Sequence, residues 1–246
     1  MDLEKIANEI RGGRRVVALT GAGISSAAGI PTFRGKNGLW ERIDPEKFSL
    51  GFFKEKPEEW WSIAKNLFSP FIVARPTRAH YALSELERLG HLEAVITQNI
   101  DGLHQLAGSR NVIELHGNVM KLKCILCGME YNLNDYIDDL NDDRLPICKR
   151  CGRVLKTGAV LFGEEIPKRE YLLSIYYASV SDVMLVIGTS LEVEPAAALP
   201  SYALRNGARI IYINRDVSGV KDKGFIIVEG DSEIILPEIV KNIRGD

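Results

Sequence analysis

The chain has 246 residues, and its 31 Lys and Arg nearly balance its 33 Asp and Glu, for a formal net charge of −2 at pH 7. Hydrophobic residues make up 46% and charged residues 26%, which excludes a disordered, collagen-like or coiled-coil chain and favours a globular protein with a packed core. Direct nucleic-acid binding is not expected, because a protein dedicated to it would be strongly basic.

The N-terminus is charged and lacks the apolar segment of a signal peptide. The longest apolar runs, such as residues 183–187, fall far short of the roughly 20 residues that span a bilayer. We therefore expect no membrane association and a cytoplasmic location, where cysteines stay reduced.

Helical and strand patterns alternate along most of the chain. Apolar spacing predicts a short helix over residues 2–11, followed by a buried strand at 15–19. Further strands are predicted at 94–97, 112–115, 183–187, 208–213 and 225–228, and helices at 80–89, 171–178, 195–205 and 233–243. This alternation is typical of βαβ units, so the predicted fold is α/β, a Rossmann-like doubly wound parallel sheet.

Two segments interrupt the alternation. Residues 36–79 are rich in Phe, Trp and Pro, and residues 119–159 contain all the cysteines. We expect them to form a smaller zinc-ribbon plus helical module, in which Trp60, Trp61, Phe68 and Phe71 are core rather than ligand contacts. Residues 1–35, 80–118 and 160–246 would then form the Rossmann-like domain.

The cysteines form two matched CxxC pairs, Cys124 with Cys127 and Cys148 with Cys151. Each pair places two thiolates on one tight turn, and four such soft ligands suit tetrahedral zinc. Four sulfur ligands leave no open position for water, so the pattern predicts a structural zinc rather than a catalytic one.

A glycine-rich turn, residues 21–25, follows the first strand and precedes a predicted helix. Glycines let a backbone approach phosphate closely, and a helix N-terminus offers free N–H donors. The dinucleotide fingerprint would require glycine where Ser26 stands, so an ordinary strand-to-helix turn remains an alternative at this point.

The longer string GAGISSAAGIPTFRG, residues 21–35, resembles the signature of the sirtuins, the NAD-dependent protein deacylases. TQNIDGLH at 97–104 is similar to their second signature. His116-Gly117, LFGE at 161–164, GTSL at 188–191 and Ile213-Asn214 match further motifs in the family's order. The resemblance covers nearly the whole chain and implies NAD as a consumed co-substrate and one structural zinc.

The resemblance also implies a role for individual residues. His116 would be the catalytic base. An extended acyl-lysine peptide would lie between Val160, Phe162, Gly163 and Glu164 on one side and Leu191 and Val193 on the other. The implied NAD contacts are Ala22, Gly23, Ser25, Phe33, Arg34, Gln98, Asn99, Ile100, Asp101, Gly188, Thr189, Ser190, Asn214 and Asp231, with the adenine side, Asp231 included, the least determined.

The residue chemistry supports three of these roles independently. Asn99 and Asp101 occupy alternate positions beyond a strand, so both can face one pocket and together bind a carboxamide. Asp101 could instead cap a helix, or do both. His116 follows another strand, and an imidazole titrates near neutrality as a general base must. His80 lies in a predicted helix and is expected to be structural, and His104 is assigned no chemistry.

The implied reaction removes an acyl group from lysine and transfers it to ADP-ribose, releasing nicotinamide and O-acetyl-ADP-ribose. Relatives that prefer acidic acyl groups carry Tyr-x-x-Arg where this chain has Ala64 and Leu67, so neutral acyl groups are expected. The substrate would be an acyl-lysine protein, with chromatin proteins as candidates. The alternatives are a mono-ADP-ribosyltransferase using the same site, a non-catalytic zinc-ribbon module that senses NAD, and an NAD dehydrogenase.

Overall fold

A parallel sheet of six strands and a smaller antiparallel sheet of three organise the computed structural model, which describes residues 2–32, 38–41, 43–221 and 223–245. The strands are β1 (Val16–Thr20), β2 (Ala94–Thr97), β3 (Val112–Glu114), β4 (Lys121–Lys123), β5 (Glu130–Asn132), β6 (Lys156–Thr157), β7 (Val183–Ile187), β8 (Arg209–Asn214) and β9 (Ile226–Glu229). The helices are α1 (Leu3–Gly12), α2 (Leu50–Glu55), α3 (Pro57–Val73), α4 (Arg78–Arg88), α5 (Leu103–Leu106), α6 (Ile137–Asn141), α7 (Lys168–Val180), α8 (Leu199–Arg205) and α9 (Ser232–Arg244).

The large sheet has the order β3-β2-β1-β7-β8-β9, and every neighbouring pair in it is parallel. After β1 the chain adds β2 and β3 on one side of the sheet, and after β7 it adds β8 and β9 on the other side. The direction of winding therefore reverses between β1 and β7. Ligands of open α/β sheets bind at the carboxyl ends of the strands beside such a reversal. The predicted Rossmann-like fold is confirmed.

Helices cover both faces of this sheet. Along β1, Val16 and Ala18 belong to the apolar cluster that includes residues of α1, α4 and α9, while Val17 and Leu19 belong to the cluster that includes residues of α8. All residues of β1 and β7 are buried. Their continuous apolar runs are those of strands covered on both faces.

Most element bounds lie within one to three residues of the prediction. The predicted helix at 195–205 is divided into a 3₁₀ turn, Ala196–Ala198, and α8. Pro200 stands in the first turn of α8, where the missing N–H costs no helical hydrogen bond. The segment after the glycine turn is also a 3₁₀ helix, Ala22–Ala28, which ends at Gly29 with φ +79°.

The smaller sheet has the order β5-β4-β6 and carries the cysteine pairs at its ends. Its apolar residues share one cluster with α3, in which the Trp60, Trp61, Phe68 and Phe71 side chains are buried as expected. The Trp61 indole N–H also donates to the carbonyl of Leu155, at 2.8 Å. The division into two domains with the bounds given above stays a prediction.

None of the helices in the described ranges combines the length and the apolar character that crossing a membrane requires.

The turns after β1 and β7 touch backbone to backbone. The Gly23 N–H donates to the Gly188 carbonyl at 2.8 Å, and a Cβ added to Gly23 would lie 2.7 Å from the Gly188 Cα. Gly188 itself has φ +61°, and its Cβ would lie 2.5 Å from the Ile24 nitrogen. Side chains are therefore excluded at the point where the sheet reverses.

We expect Gly23→Ala to lower the free energy of unfolding by about 1–3 kcal/mol, because the methyl group must push two backbone segments apart. Gly12→Ala is the matched control, since no atom lies within 4 Å of its Cβ position and alanine favours the end of α1. Urea denaturation measures both. Equal stability of the two variants would contradict the close contact.

Candidate active site

The predicted site residues gather at one edge of the large sheet. The glycine turn follows β1, residues 98–101 follow β2, His116 follows β3, and residues 188–191 follow β7. Asn214 ends β8. The carboxyl ends of parallel strands meet at the same edge, so residues far apart in the chain become neighbours. The Gln98 amide, for example, donates to the Thr189 hydroxyl at 2.9 Å.

A buried polar cluster joins Ser25, Asn99 and Asp101. The Ser25 hydroxyl donates to the Asp101 carboxylate at 2.7 Å, and the Asn99 amide donates to the Ser25 oxygen at 3.0 Å and to the Gly21 carbonyl at 3.2 Å. Burial raises the pKa of Asp101 although Leu103 N–H and Ser25 donate to it. Asp101 thus accepts from the Leu103 N–H at the start of α5 and also belongs to the cluster, while its expected contact with a carboxamide stays a prediction.

Two buried histidines, His80 and His104, lie next to this cluster. The Thr20 hydroxyl lies 2.8 Å from the Thr97 hydroxyl and 2.8 Å from His104 Nε2, and the His80 and His104 rings lie 4.6 Å apart. His80 also pairs with Thr77 in a capping box at the start of α4. Burial lowers the pKa of His80 to about 4. Its expected structural role is confirmed, whereas sequence reasoning gave His104 no role at all.

His116 presents one ring nitrogen to the protein. Its Nδ1 lies 3.0 Å from the carbonyl oxygen of Gln98. A carbonyl only accepts, so Nδ1 carries the proton and Nε2 keeps its lone pair. Burial lowers the pKa of His116, against the opposing effect of the Gln98 carbonyl. The imidazole is therefore neutral at pH 7 and able to accept a proton at Nε2.

At the carboxyl ends of β7 and β8, hydrogen bonds to Thr189 order the predicted site residues. Its carbonyl accepts from the Tyr212 hydroxyl at 2.7 Å and from the Asn214 amide at 3.3 Å. The exposed Ser190 donates to Glu192 at 3.1 Å. Tyr212 was not among the predicted site residues, because a tyrosine inside an apolar strand gives no signal of a loop contact.

The Asp231 carboxylate already has two partners. It caps α9 by accepting from the Glu233 N–H at 3.0 Å, and it pairs with Arg215 at 2.7 Å. Arg215 holds the pKa of this carboxyl below its usual value. Its proposed contact on the adenine side stays a prediction, and any such contact would share the carboxylate with Arg215.

The predicted peptide-binding segment, residues 160–164, is fastened to several elements. The Val160 N–H donates to the His116 carbonyl at 2.8 Å, and the Phe162 N–H donates to the Phe48 carbonyl at 3.0 Å. Glu164 accepts from the Leu161 N–H at 3.1 Å and from Lys156 at 3.0 Å. The carboxylate of Glu164 therefore stabilises the loop to which it belongs.

The remaining predicted site residues lie in several parts of the chain. Phe162 is 44% exposed, and the second segment predicted to border the peptide contains Leu191, which is buried with φ +58°, and half-buried Val193. Ile100 is buried in the cluster shared with α3. Phe33 and Arg34 lie outside the described residues.

The four cysteine sulfurs come together as the spacing predicts. All lie within 4.8 Å of one another, with Cys124 and Cys151 3.4 Å apart and Cys127 and Cys148 3.6 Å apart. Four sulfurs around a tetrahedral zinc, each at about 2.3 Å, would be spaced by about 3.8 Å. The set fits one zinc ion with all four positions filled by the protein, which is a structural site.

We expect Cys148→Ser to abolish stoichiometric zinc binding and to lower the melting temperature, because the metal's binding energy contributes to folding of the small sheet. Metal analysis and thermal denaturation measure the two effects. Arg150→Ser, an exposed change in the same turn, is the control and should retain one zinc per chain. A Cys148→Ser protein with full zinc content and an unchanged melting temperature would overturn the site.

Comparison with known proteins agrees with this geometry. The model of the Sir2 family matches residues 21–195. "NAD-dependent protein deacetylase 1" of Pyrobaculum aerophilum is 43% identical over 99% of this chain and 96% of its own, and "NAD-dependent protein deacylase 2" of Archaeoglobus fulgidus is 41% identical with the same coverage. A solved "Sir2-p53 peptide-NAD+" structure, 36% identical, superimposes with a TM-score of 0.90 over 100% of both chains. The sirtuin resemblance is confirmed, and the chain belongs to the Sir2 family.

Proposed function

We propose that this chain is an NAD-dependent protein lysine deacylase. It transfers the acyl group of an acyl-lysine to ADP-ribose and releases nicotinamide and O-acetyl-ADP-ribose. The observation that carries the proposal is the placement of His116 between the loop after β2, whose Gln98 carbonyl meets its Nδ1, and the segment 160–164, with no hydrogen bond to its Nε2 from the described residues. The names of the relatives and their identity over the full chain support the same reaction.

The cradle at the reversal of the sheet suits a dinucleotide. Gly23 and Gly188 let the turns after β1 and β7 pack backbone to backbone, and the phosphates of the dinucleotide would lie beside this glycine-rich turn at the start of a helix. Asn99 and Asp101 are linked through Ser25, and their side-chain oxygens would accept from the N–H groups of a primary carboxamide. Gln98, Thr189, Ser190 and Asn214 would contact the ribose groups. NAD supplies the ribosyl carbon from which nicotinamide leaves.

His116 acts on the hydroxyls of that ribose. The Gln98 carbonyl accepts from Nδ1–H and so fixes the ring tautomer, which makes Nε2 the basic nitrogen. Because burial lowers the pKa of His116, the base form is present at pH 7 without a partner carboxylate.

The acyl group is neutral. Ala64 and Leu67, the positions that correspond to the Tyr-x-x-Arg pair, are 0% and 8% exposed within the apolar cluster of α3. A buried acyl carboxylate would meet no cation from these two positions and would carry a large desolvation cost. Chromatin partners, the absence of nucleic-acid binding and the cytoplasmic location stay predictions.

Mass spectrometry of an acetyl-lysine peptide incubated with the protein, with and without NAD, tests the reaction. We expect loss of the acetyl group and one O-acetyl-ADP-ribose per peptide only when NAD is present. Addition of ADP-ribose to the peptide or to the protein would instead identify the transferase alternative. Absence of nicotinamide release would favour the NAD-sensing module, and formation of NADH would favour a dehydrogenase.

His116→Ala should lower turnover by about 10²–10⁴-fold, the usual contribution of a general base, while NAD binding measured by calorimetry persists. His91→Ala is the matched control, because His91 precedes β2 and therefore lies at the edge of the sheet opposite to the site. An unchanged rate in His116→Ala would remove this residue from the mechanism.

The rate should also depend on pH. Protonation of Nε2 removes the base, so the rate falls on acidification, and the lowered pKa of His116 places the midpoint below 6.5. The residual activity of His116→Ala should lack this limb. A midpoint above 6.5 would contradict the assigned environment of the imidazole.

A further inference from the structure

The Lys156 side chain is only 1% exposed although it bears an ammonium group. Lysine is almost never fully buried unless it is paired. Lys156 lies in β6 of the small sheet, between the second cysteine pair and the peptide-binding segment. None of the roles described above uses it.

The ammonium group has three partners arranged around its Nζ. It donates to the carbonyls of Thr157 and Ala159, at 2.8 and 2.7 Å, and to the carboxylate of Glu164 at 3.0 Å. A lysine ammonium has three N–H donors, so the donor set is complete.

All three partners belong to one stretch of chain, residues 157–164, which therefore folds around Nζ. The same oxygen of Glu164 that meets Lys156 also accepts from the Leu161 N–H at 3.1 Å. The Lys156 ammonium thus fixes the start and the end of the segment that contains Val160, Phe162 and Gly163.

Strand β6 is also joined by hydrogen bonds to the rest of the small module. Lys156 and Thr157 pair with Lys123 and Leu122 of β4, which leads directly into Cys124. Leu155 accepts from the Trp61 indole. The Lys156 side chain therefore connects the small sheet to residues 157–164, the segment predicted to bind the peptide.

We propose that Lys156 is a positioning residue for the acyl-lysine peptide, which holds residues 157–164 in the conformation that binds an extended substrate. The inference rests on the proposed function, because the groove matters only if a peptide occupies it. Glu164 then acts through Lys156 and not by direct contact of its carboxylate with the peptide. NAD binding, which is proposed to use the glycine turn and the loops after β2 and β7, should not depend on this contact.

The test compares Lys156→Met with Lys65→Met. Both substitutions remove an ammonium group that pairs with a carboxylate, but the Lys65–Asp143 pair lies at the surface. We expect Lys156→Met to weaken binding of a fluorescent acetyl-lysine peptide by at least about tenfold, because it removes all three hydrogen bonds of the ammonium group and one charge-assisted bond alone is worth about that much. The NAD affinity and the zinc content should stay within twofold of the wild type. Lys65→Met should change none of the three.

A double-mutant cycle with Glu164→Gln separates positioning from direct contact. If Glu164 acts through Lys156, the double variant binds the peptide no more weakly than Lys156→Met alone. Additive losses would show that the Glu164 carboxylate touches the peptide and would overturn that part of the proposal.

Three results decide the rest. Wild-type peptide affinity in a folded, zinc-containing Lys156→Met protein overturns the positioning role. If Lys156→Met does not fold, Glu164→Gln alone decides, because it should weaken peptide binding several-fold without changing NAD affinity, and an unchanged peptide affinity overturns the proposal. A wild-type protein that neither binds nor deacetylates the peptide refutes the proposed function instead.

Discussion

The contact between the turns after β1 and β7 is the constraint on which the site depends. The Gly23 N–H and the Gly188 carbonyl meet at 2.8 Å, so the two halves of the sheet join at their carboxyl ends without intervening side chains. Ser25 follows one turn and Thr189 the other. The hydrogen bonds from Asn99 to Ser25 and from Gln98 to Thr189 then attach the loop after β2 to both turns.

The buried polar network consists of uncharged histidines and a carboxylate that accepts hydrogen bonds. His80 and His104 are held uncharged by burial, which lowers the pKa of both, and the Asp101 carboxylate is surrounded by donors from Ser25 and the Leu103 N–H. A network of this kind is stable because its hydrogen bonds replace those to water. It supports the loop containing Asn99 through a chain of hydroxyl groups that begins at His104.

The local part of this architecture could be predicted from sequence, and the long-range part could not. Strands such as β2 and β7 have apolar runs with clear limits, and the cysteine spacing alone defines a metal site. The alternate positions of Asn99 and Asp101 predicted a shared pocket, which Ser25 now joins. Tyr212 gave no signal, because its partner lies in a loop whose position depends on the tertiary fold. A lysine in an otherwise apolar stretch, residues 154–156, was the one feature that could have indicated a buried partner.

The two sides of the groove are held by different kinds of interaction. The side proposed to bind the nucleotide consists of strand ends of one sheet, so its geometry follows from the parallel pairing itself. The side proposed to bind the peptide has no such frame, because residues 157–164 form no strand of either sheet beyond Thr157. Its position is fixed by the hydrogen bonds to His116 and Phe48 and by the Lys156 ammonium. His116 thus stands where the two kinds of support meet, with its ring bound to the Gln98 carbonyl and its own carbonyl bound to Val160. Each side therefore contacts the proposed base through one hydrogen bond.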